Sequence, residues 1–225
     1  MPTLLDASVS YIINDDFISY RSLVEDNFGP AVSFPRGTVV SQCGILLDRV
    51  YFLLKGMIKI YTVNASGYIR ILGYHKGNTI FSMDGLCGNM PAVVSTECVT
   101  PVLAIPLYPK DIETLGKLDS RFMPDLARYY CRILRLMCVD AENQSIPDAR
   151  ERLANFLSLY LEHVKCGEDP VIHMSQEELA SAVNCSRVQI ARICGEMQKE
   201  GIIETGHRKL LVKYPELLNV DRTAL

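Results

Sequence analysis

The segment from Ser175 to Val212, near the C-terminus, constrains the fold of this chain more than any other stretch. Ser175 and Glu178 have the spacing of a capping box, in which each side chain bonds to the other residue's backbone amide at the start of a helix. Ser186 and Gln189 repeat this spacing shortly afterwards. The segment therefore predicts two short helices in close succession.

A tight turn and a small hairpin complete the pattern. The turn is predicted at Asn184–Cys185, between the two helices, and Gly201 can end the second helix. Ile202–Ile203 then begin a strand, Thr205–His207 turn it, and Leu210–Val212 bring it back. Two helices across a short turn, followed by a hairpin, predict a winged helix-turn-helix, a motif that reads DNA with its second helix.

The second of these helices has an apolar face and an outer face. Ile190, Ile193 and Met197 form a stripe that can be buried. Arginines on the outer face suit guanine edges or phosphates, and an apolar side chain there can meet a thymine methyl group. The alternative interpretation is a small helical domain with a charged surface. The predicted DNA contacts are Ser186, Arg187, Val188, Gln189, Arg192, Lys199, His207, Arg208 and Lys209.

The charge of the chain supports a local rather than a global cationic surface. The formal net charge is −3, but Arg187–Lys213 contains six Lys and Arg against three Glu. No apolar run reaches the length of about 18 residues that a membrane span needs, so no membrane association is predicted. The N-terminus lacks a basic start and an apolar signal core, and we therefore expect a cytoplasmic protein.

The eight cysteines do not have the spacing of a metal site. None forms a C-x-x-C pair, and no Cys/His group matches a zinc finger, so no metal site is predicted. In a cytoplasmic chain, most of them are expected to be reduced, small and buried. Redox sensing by one of these thiols stays open. They are Cys43, Cys87, Cys98, Cys131, Cys138, Cys166, Cys185 and Cys194.

The region from Ala31 to Leu107 has a sequence pattern typical of β-structure. Short apolar runs alternate with Gly-containing turns at close spacing, which is typical of an antiparallel barrel or roll. Phe17–Val24 and Pro109–Leu118 are predicted helices on either side of it. The fold class is therefore α+β. The predicted strands are Val39–Val40, Val50–Leu54, Met57–Val63, Tyr68–Tyr74, Thr79–Phe81, Val93–Val99 and Val102–Leu107.

A long helix is predicted from Pro124 to Gln144. A seam with alternating spacings of four and three is typical of a coiled coil, and this one is polar at its end. A second apolar strip runs through Tyr129, Leu134 and Leu136. We expect a partner subunit on one side and the β-roll on the other, whereas the alternative is a helix buried within one domain. The predicted dimer seam is Leu126, Tyr130, Ile133, Met137 and Asp140, followed by Gln144.

Pro147 begins another helix, with acids in its first turn. These elements predict three functional parts. Residues 1–118 form an effector-sensing β-roll, residues 119–146 form a dimerisation helix and hinge, and residues 147–225 form the DNA-binding domain. No G-x-S-x-G, H-E-x-x-H or P-loop motif is present, so we expect a protein that is not an enzyme.

In the order of its parts, the chain resembles the CRP/FNR family of bacterial transcription regulators. The resemblance lies in V-Y-F-L-L-K-G-M-I-K-I-Y (50–61), Gly67, Y-H-K-G-N-T-I-F (74–81) and C-S-R-V-Q-I-A-R-I (185–193). It implies a β-roll similar to a cyclic nucleotide-binding domain and a homodimer that binds an inverted repeat in double-stranded DNA. It also implies RNA polymerase as a partner and allosteric control by a small-molecule effector.

The family's ligand-binding positions depart from their usual residues here. The Gly-Glu and Arg-Ser pairs of cyclic-AMP-binding members correspond to Phe81–Ser82 and Met90–Pro91, so a buried phosphate would lack its cation. The first 42 residues contain no cysteine to hold an iron–sulfur cluster. The haem-ligand positions of the carbon monoxide sensors correspond to Ser82 and Asp84. No cofactor is predicted, although His75 keeps haem open as an alternative.

A branch of the family that senses aromatic or halogenated phenols remains, and so do branches with no known ligand. The chain has apolar and aromatic residues that could line a pocket for a flat apolar effector, although the same side chains could simply fill the core. The predicted effector residues are Phe81, Ser82, Met83, Met90, Tyr129, Tyr130 and Ile133. The effector would bind between the roll and the long helix and change how the dimer's helices pack. Asp140 and Gln144, at the polar end of the seam, would leave that end loosely packed when no effector is bound.

The reading helix also departs from the family. Many members carry Glu at the position of Val188, where it accepts a hydrogen bond from cytosine. Valine cannot accept one, and we therefore expect an A·T pair at this position of the DNA site.

Overall fold

The computed structural model describes residues 10–65, 67–88, 90–161 and 169–218. The chain divides into two compact units. The roll unit is Ile12–Ile133, and the reader unit comprises the chain up to Tyr11 together with the chain from Leu134 onward. The division at residues 118 and 146 that the sequence suggests concerns function and stays a prediction.

The roll unit contains two sheets. One has the strand order β1-β6-β5-β8-β3 and the other the order β2-β9-β4-β7. All strand pairs are antiparallel except β1 with β6. This confirms the predicted antiparallel roll. The strands are β1 (Ile12–Ile13), β2 (Val32–Phe34), β3 (Val39–Ser41), β4 (Val50–Lys55), β5 (Ile58–Val63), β6 (Ile69–His75), β7 (Thr79–Phe81), β8 (Ser95–Cys98) and β9 (Val102–Leu107).

The turn between β4 and β5 requires glycine for two reasons. Gly56 has a φ of 103°, which side chains rarely adopt, and an added Cβ would lie 2.4 Å from the carbonyl oxygen of Pro101. The chain can therefore reverse tightly here.

Among the described residues, three α-helices belong wholly or partly to the roll unit. They are α1 (Arg21–Asn27), which follows a 3₁₀ turn, α2 (Pro109–Leu118) and α3 (Phe122–Ser145), whose first half lies in this unit. Pro124 lies inside the first turn of α3, where its missing amide hydrogen costs nothing. Phe122, Leu126 and Tyr129 pack into a core that includes Phe17 and Phe52. Within the described ranges, no helix is long and apolar enough to cross a membrane.

The reader unit contains the predicted winged helix-turn-helix. Its elements are α4 (Ala149–Leu161), β10 (Val171–Ile172), α5 (Gln176–Ala182), α6 (Arg187–Lys199), β11 (Ile203–Gly206) and β12 (Lys209–Val212). The three strands form an antiparallel sheet in the order β10-β12-β11. The hairpin turn is His207–Arg208 rather than Thr205–His207, because β11 continues to Gly206, which pairs with Lys209.

Tyr11 packs against residues of the reader unit. Its ring lies 4.7 Å from that of Phe156, and its hydroxyl donates a hydrogen bond of 2.5 Å to Asp140. Tyr11 and Asp140 are both buried. Asp140 therefore belongs to the interior of the reader unit, whereas the sequence suggested a loosely packed seam with a partner. The physical reason is that a buried phenol supplies the hydrogen bond this carboxylate needs.

Candidate nucleic-acid interface and effector region

Helix α5 begins with the full predicted capping box, whereas α6 begins with the Ser186 half of the box predicted there. At α5, the Ser175 hydroxyl accepts from the Glu178 amide at 3.2 Å, and the Glu178 carboxylate accepts from the Ser175 amide at 2.8 Å. At α6, the Ser186 hydroxyl accepts from the Gln189 amide at 3.1 Å. These caps satisfy amides that have no partner within the helix, and they set where α6 begins.

The faces of α6 are separated as predicted. Ile190, Ile193 and Met197 are buried, and Val188 is 80% exposed. Gly201 follows the helix with a φ of 77°, the left-handed conformation expected of a helix terminator. All nine predicted DNA contacts are exposed: Ser186, Arg187, Val188, Gln189, Arg192, Lys199, His207, Arg208 and Lys209.

Two of these cations already have acidic partners. Arg192 donates to Glu196 at 2.6 Å along α6, and Arg208 lies 3.0 Å from Glu178 of α5. Ion pairs at the surface are worth at most about 1 kcal/mol, so a DNA phosphate can replace the carboxylate. Arg208 also has a φ of 51° in the hairpin turn, a conformation that glycine adopts more readily.

The predicted effector residues lie in different surroundings. Phe81 stacks on Tyr51 with ring centroids 5.2 Å apart, inside the roll. The buried Ser82 hydroxyl donates to Ser41 at 3.1 Å and lies 3.3 Å from the hydroxyl of Thr96. Three hydroxyl groups thus satisfy one another in the interior.

Tyr129 belongs to another core of the roll unit. Its hydroxyl donates to the carbonyl oxygen of Ile80 at 2.6 Å and lies 2.9 Å from Nδ1 of His75. Burial lowers the pKa of His75 to about 4 and raises the pKa of Tyr129 well above its usual value. His75 is therefore a neutral, hydrogen-bonded residue that ties β6 to α3.

Met83 and Ile133 pack at the margin of the core that contains Tyr129. Met90 is 64% exposed and Tyr130 is 37% exposed. The seven predicted effector residues thus occupy separate settings, and a pocket shared by all of them stays a prediction. Among the described residues, no group of three or more His, Cys, Asp or Glu side chains could hold a metal ion.

The long helix α3 exposes an apolar strip that the predicted seam only partly includes. Leu126 and Asp140 are buried within the chain, whereas Tyr130 and Leu134 are exposed, Leu134 by 63%. We call the exposed strip the outer face of α3. It comprises Met123, Ala127, Tyr130, Leu134, Cys138 and Ala141. These positions also repeat at spacings of three and four, so the spacing alone did not distinguish them from the buried strip.

The cysteines are more exposed than expected. Four of the seven described thiols are exposed, namely Cys43, Cys87, Cys131 and Cys138. Cys98 and Cys194 are buried, and burial raises the pKa of each thiol to about 11. Cys185 is partly buried, and Cys166 lies outside the described residues.

Both parts of the chain match known families. Residues 31–117 match the cyclic nucleotide-binding domain, and residues 151–220 match the Crp-like helix-turn-helix domain. The transcriptional regulator SdrP of Thermus thermophilus is 28% identical over 191 residues, 80% of this chain and 87% of that protein. The global nitrogen regulator of a Nostoc species is 26% identical over 208 residues, 89% of this chain and 93% of that protein.

Solved structures share the fold. A CRP/FNR-family transcriptional regulator from Thermus thermophilus superimposes with a TM-score of 0.70 at 24% identity, covering 84% of this chain and 96% of that chain. The regulator CLP of Xanthomonas campestris, described as c-di-GMP responsive, has a TM-score of 0.70 at 18% identity, covering 81% and 93%. A β-roll followed along the chain by a winged helix-turn-helix defines a class of DNA-binding transcription regulators. This chain belongs to the CRP/FNR family.

Proposed function

We propose that the protein is a homodimeric regulator whose α6 helices read the two halves of an inverted repeat in DNA. The observation that carries the proposal is the exposure of all nine candidate contacts on α6 and the hairpin, opposite a fully buried apolar stripe. In this proposal, residues 1–118 sense, residues 119–146 join the subunits, and residues 147–225 bind DNA. RNA polymerase is the expected protein partner.

DNA contacts would be divided between α6, which faces the bases, and the hairpin, which faces the phosphates. Arg187 and Arg192 suit guanine edges or phosphates, and Val188 suits a thymine methyl group. His207 and Lys209 of the hairpin suit phosphates, which add affinity and salt dependence but little sequence information. The half-sites would lie about one helical turn apart, so that both reading helices enter successive major grooves on one side of the duplex.

We assign the dimer contact to the outer face of α3 rather than to the full seam suggested by the sequence. Leu134 and Tyr130 are large and exposed, and they share a helix face with Met123 and Cys138. Exposed apolar surface of this extent favours association. Leu126 and Asp140 are already buried within the chain, so neither is available to a partner.

The effector would be a small molecule bound in the roll unit near the first half of α3. Support comes from CLP, a regulator of similar fold described as responding to c-di-GMP. The position equivalent to a phosphate-binding arginine is the exposed Met90, which argues against a cyclic nucleotide held in the usual way. Tyr130 and Met83 remain candidates for contact with an apolar ligand.

A redox-switched regulator is the second candidate. The four exposed thiols favour it, because an accessible thiol can be oxidised whereas a buried one with a raised pKa resists. Cys131 and Cys138 lie one heptad apart on α3, so oxidation there would affect the proposed dimer contact. Haem is less favoured, since His75 is buried and already hydrogen-bonded.

The test is a selection of binding sites from random duplex DNA by the purified protein, with and without reductant. We expect a two-fold symmetric site with A·T at the position that Val188 faces. Recovery only with reductant would support the redox candidate. Recovery of no site under either condition, and again with a panel of aromatic ligands, would count against the proposal.

A further inference from the structure

Arg152, in the first turns of α4, bonds to backbone carbonyl groups from two separate segments. Its Nη1 donates to Ile146 at 2.6 Å and to Pro147 at 3.1 Å. Its Nε donates to Val183 at 2.9 Å, and its Nη2 donates to Asn184 at 3.4 Å. A single guanidinium group therefore connects four carbonyl oxygens.

Each of the two segments follows the C-terminal end of a helix. Ile146 and Pro147 follow the end of α3, whereas Val183 and Asn184 form the turn between α5 and α6. The last carbonyl groups of a helix have no partner within it, and a positive charge near this end is favourable. Arginine is suited to the task because its planar group carries five donors, whereas lysine has three donors on one atom.

A second side chain makes the same connection. Gln144, in the last turn of α3, donates to the carbonyl oxygen of Ala182 at 3.2 Å and to the Asp140 carboxylate at 3.3 Å. Asn143 donates to the backbone carbonyl of Arg152 at 3.2 Å. The end of α3 is thus bonded both to α4 and to the turn that precedes α6.

We propose that Arg152 is a positioning residue that holds the helix-turn-helix turn against the end of α3 and so sets the orientation of α6. Through this connection, a change in the packing of α3 would reach the reading helix. The inference rests on the proposed DNA-reading function. Arg152 itself is not a DNA contact, because its donors point at carbonyl groups within the reader unit.

Arg150 provides a matched control two residues earlier on α4. It bonds to the carboxylate of Glu200, with Nη1 2.7 Å from Oε1, at the protein surface. A lysine can replace an arginine beside one exposed carboxylate, but it cannot serve four carbonyls in two segments. Arg150→Lys and Arg152→Lys keep the same net charge.

The experiment compares the dissociation constants of wild type, Arg152→Lys and Arg150→Lys for the selected site and for a random duplex of equal length. We expect Arg152→Lys to bind the selected site about tenfold more weakly and the random duplex within about twofold, because nonspecific binding depends on charge alone. Arg150→Lys should change neither dissociation constant. Equal weakening on both duplexes, or no weakening on the selected site, would overturn the inference.

Amide hydrogen exchange supplies a readout that does not need DNA. Arg152→Lys should speed exchange at Val183 and Cys185, and Arg150→Lys should not; equal exchange in both would reject the inference even if no site were selected. If Arg152→Lys does not fold by circular dichroism, Gln144→Leu, which loses the hydrogen bonds to Ala182 and Asp140, should lower the ratio of specific to random affinity about threefold. An unchanged ratio of specific to random affinity would overturn the inference. Failure of the wild type to select a site would reject only the proposed function.

Discussion

The reading helix α6 and the long helix α3 differ in how many of their faces are apolar. In α6, one apolar stripe is buried and the remaining residues are exposed, apart from the buried Cys194 and the half-buried Glu196. In α3, one apolar strip packs inside the chain while another, with Leu134 at its centre, faces solvent. A helix with a single apolar face buries that face against one neighbour. A helix with two apolar faces can bury either of them, so the pattern does not say which neighbour covers which face.

This difference explains why the sequence predicts the buried and exposed faces of α6 more closely than those of α3. Spacings of three and four describe both strips of α3 equally well, so Tyr130 and Asp140 were placed on one seam. In the structure Tyr130 is exposed and Asp140 is buried. Sequence periodicity therefore reports that a face is apolar but does not report what covers it.

The largest expected effect tests the outer face of α3. Leu134→Asp should convert the dimer into a monomer and weaken binding to the two-fold site by about a hundredfold or more, because an unpaired carboxylate buried in an interface costs several kcal/mol. Analytical ultracentrifugation and DNA titration would measure the two effects.

Leu118→Asp is the matched control for this experiment. Leu118 is also more than half exposed, at the end of α2, and it lies outside the outer face of α3. It should leave the dimer intact. A Leu134→Asp variant that remains dimeric would show that the proposed dimer contact is wrong.

An intermediate effect tests the inner face of α3, where Tyr129 meets His75. Burial lowers the pKa of His75 from 6.5 to about 4, so the unfolded chain takes up a proton between these values while the folded chain does not. The contribution of the neutral His75 to the free energy of unfolding is complete above about pH 6.5. It decreases as the pH falls towards 4, and the loss is about 2 kcal/mol at pH 5.

Urea unfolding of the wild type and of His75→Gln would measure this dependence. The variant should lose less stability between about pH 7.5 and pH 5 than the wild type. His207→Gln, a change at an exposed histidine of the hairpin, should behave as the wild type does. Identical pH dependence in all three proteins would contradict the assignment to His75.

The smallest expected effect concerns the exposed face of α6. Val188→Glu introduces an acceptor for cytosine N4, so it should shift the preference at one position of the site from A·T towards C·G by about 1 kcal/mol, or about fivefold. Site selection with the variant would measure the shift. Val93→Glu adds the same charge at an exposed position of the roll unit and should leave base preference unchanged. A persistent A·T preference in Val188→Glu would argue against Val188 facing that base.

Much of the fold could be predicted from the sequence because neighbouring residues favour the same secondary structure. The bounds of Pro109–Leu118, Thr79–Phe81 and Val102–Leu107 were predicted as they occur. The caps at Ser175 and Ser186 were readable because capping depends on a few adjacent residues.

What escaped prediction depends on residues far apart in the chain. The role of Arg152 arises only when the turn after α5 comes to lie beside it, and nothing in its local sequence signals that contact. The partner of Asp140 is likewise distant. Exposure of Cys131 and Cys138 could not be predicted either, since it depends on which side of α3 packs against distant residues of the chain.

The hydrogen bond from Tyr11 to Asp140 has a consequence for synthesis on the ribosome. The two residues are 129 positions apart, so Tyr11 leaves the ribosome long before its acceptor has been made. Contacts of such long separation form late. Tyr11 must therefore remain available until the second half of α3 and α4 have emerged, and a fragment that starts after Tyr11 would lack the aromatic ring that packs on Phe156.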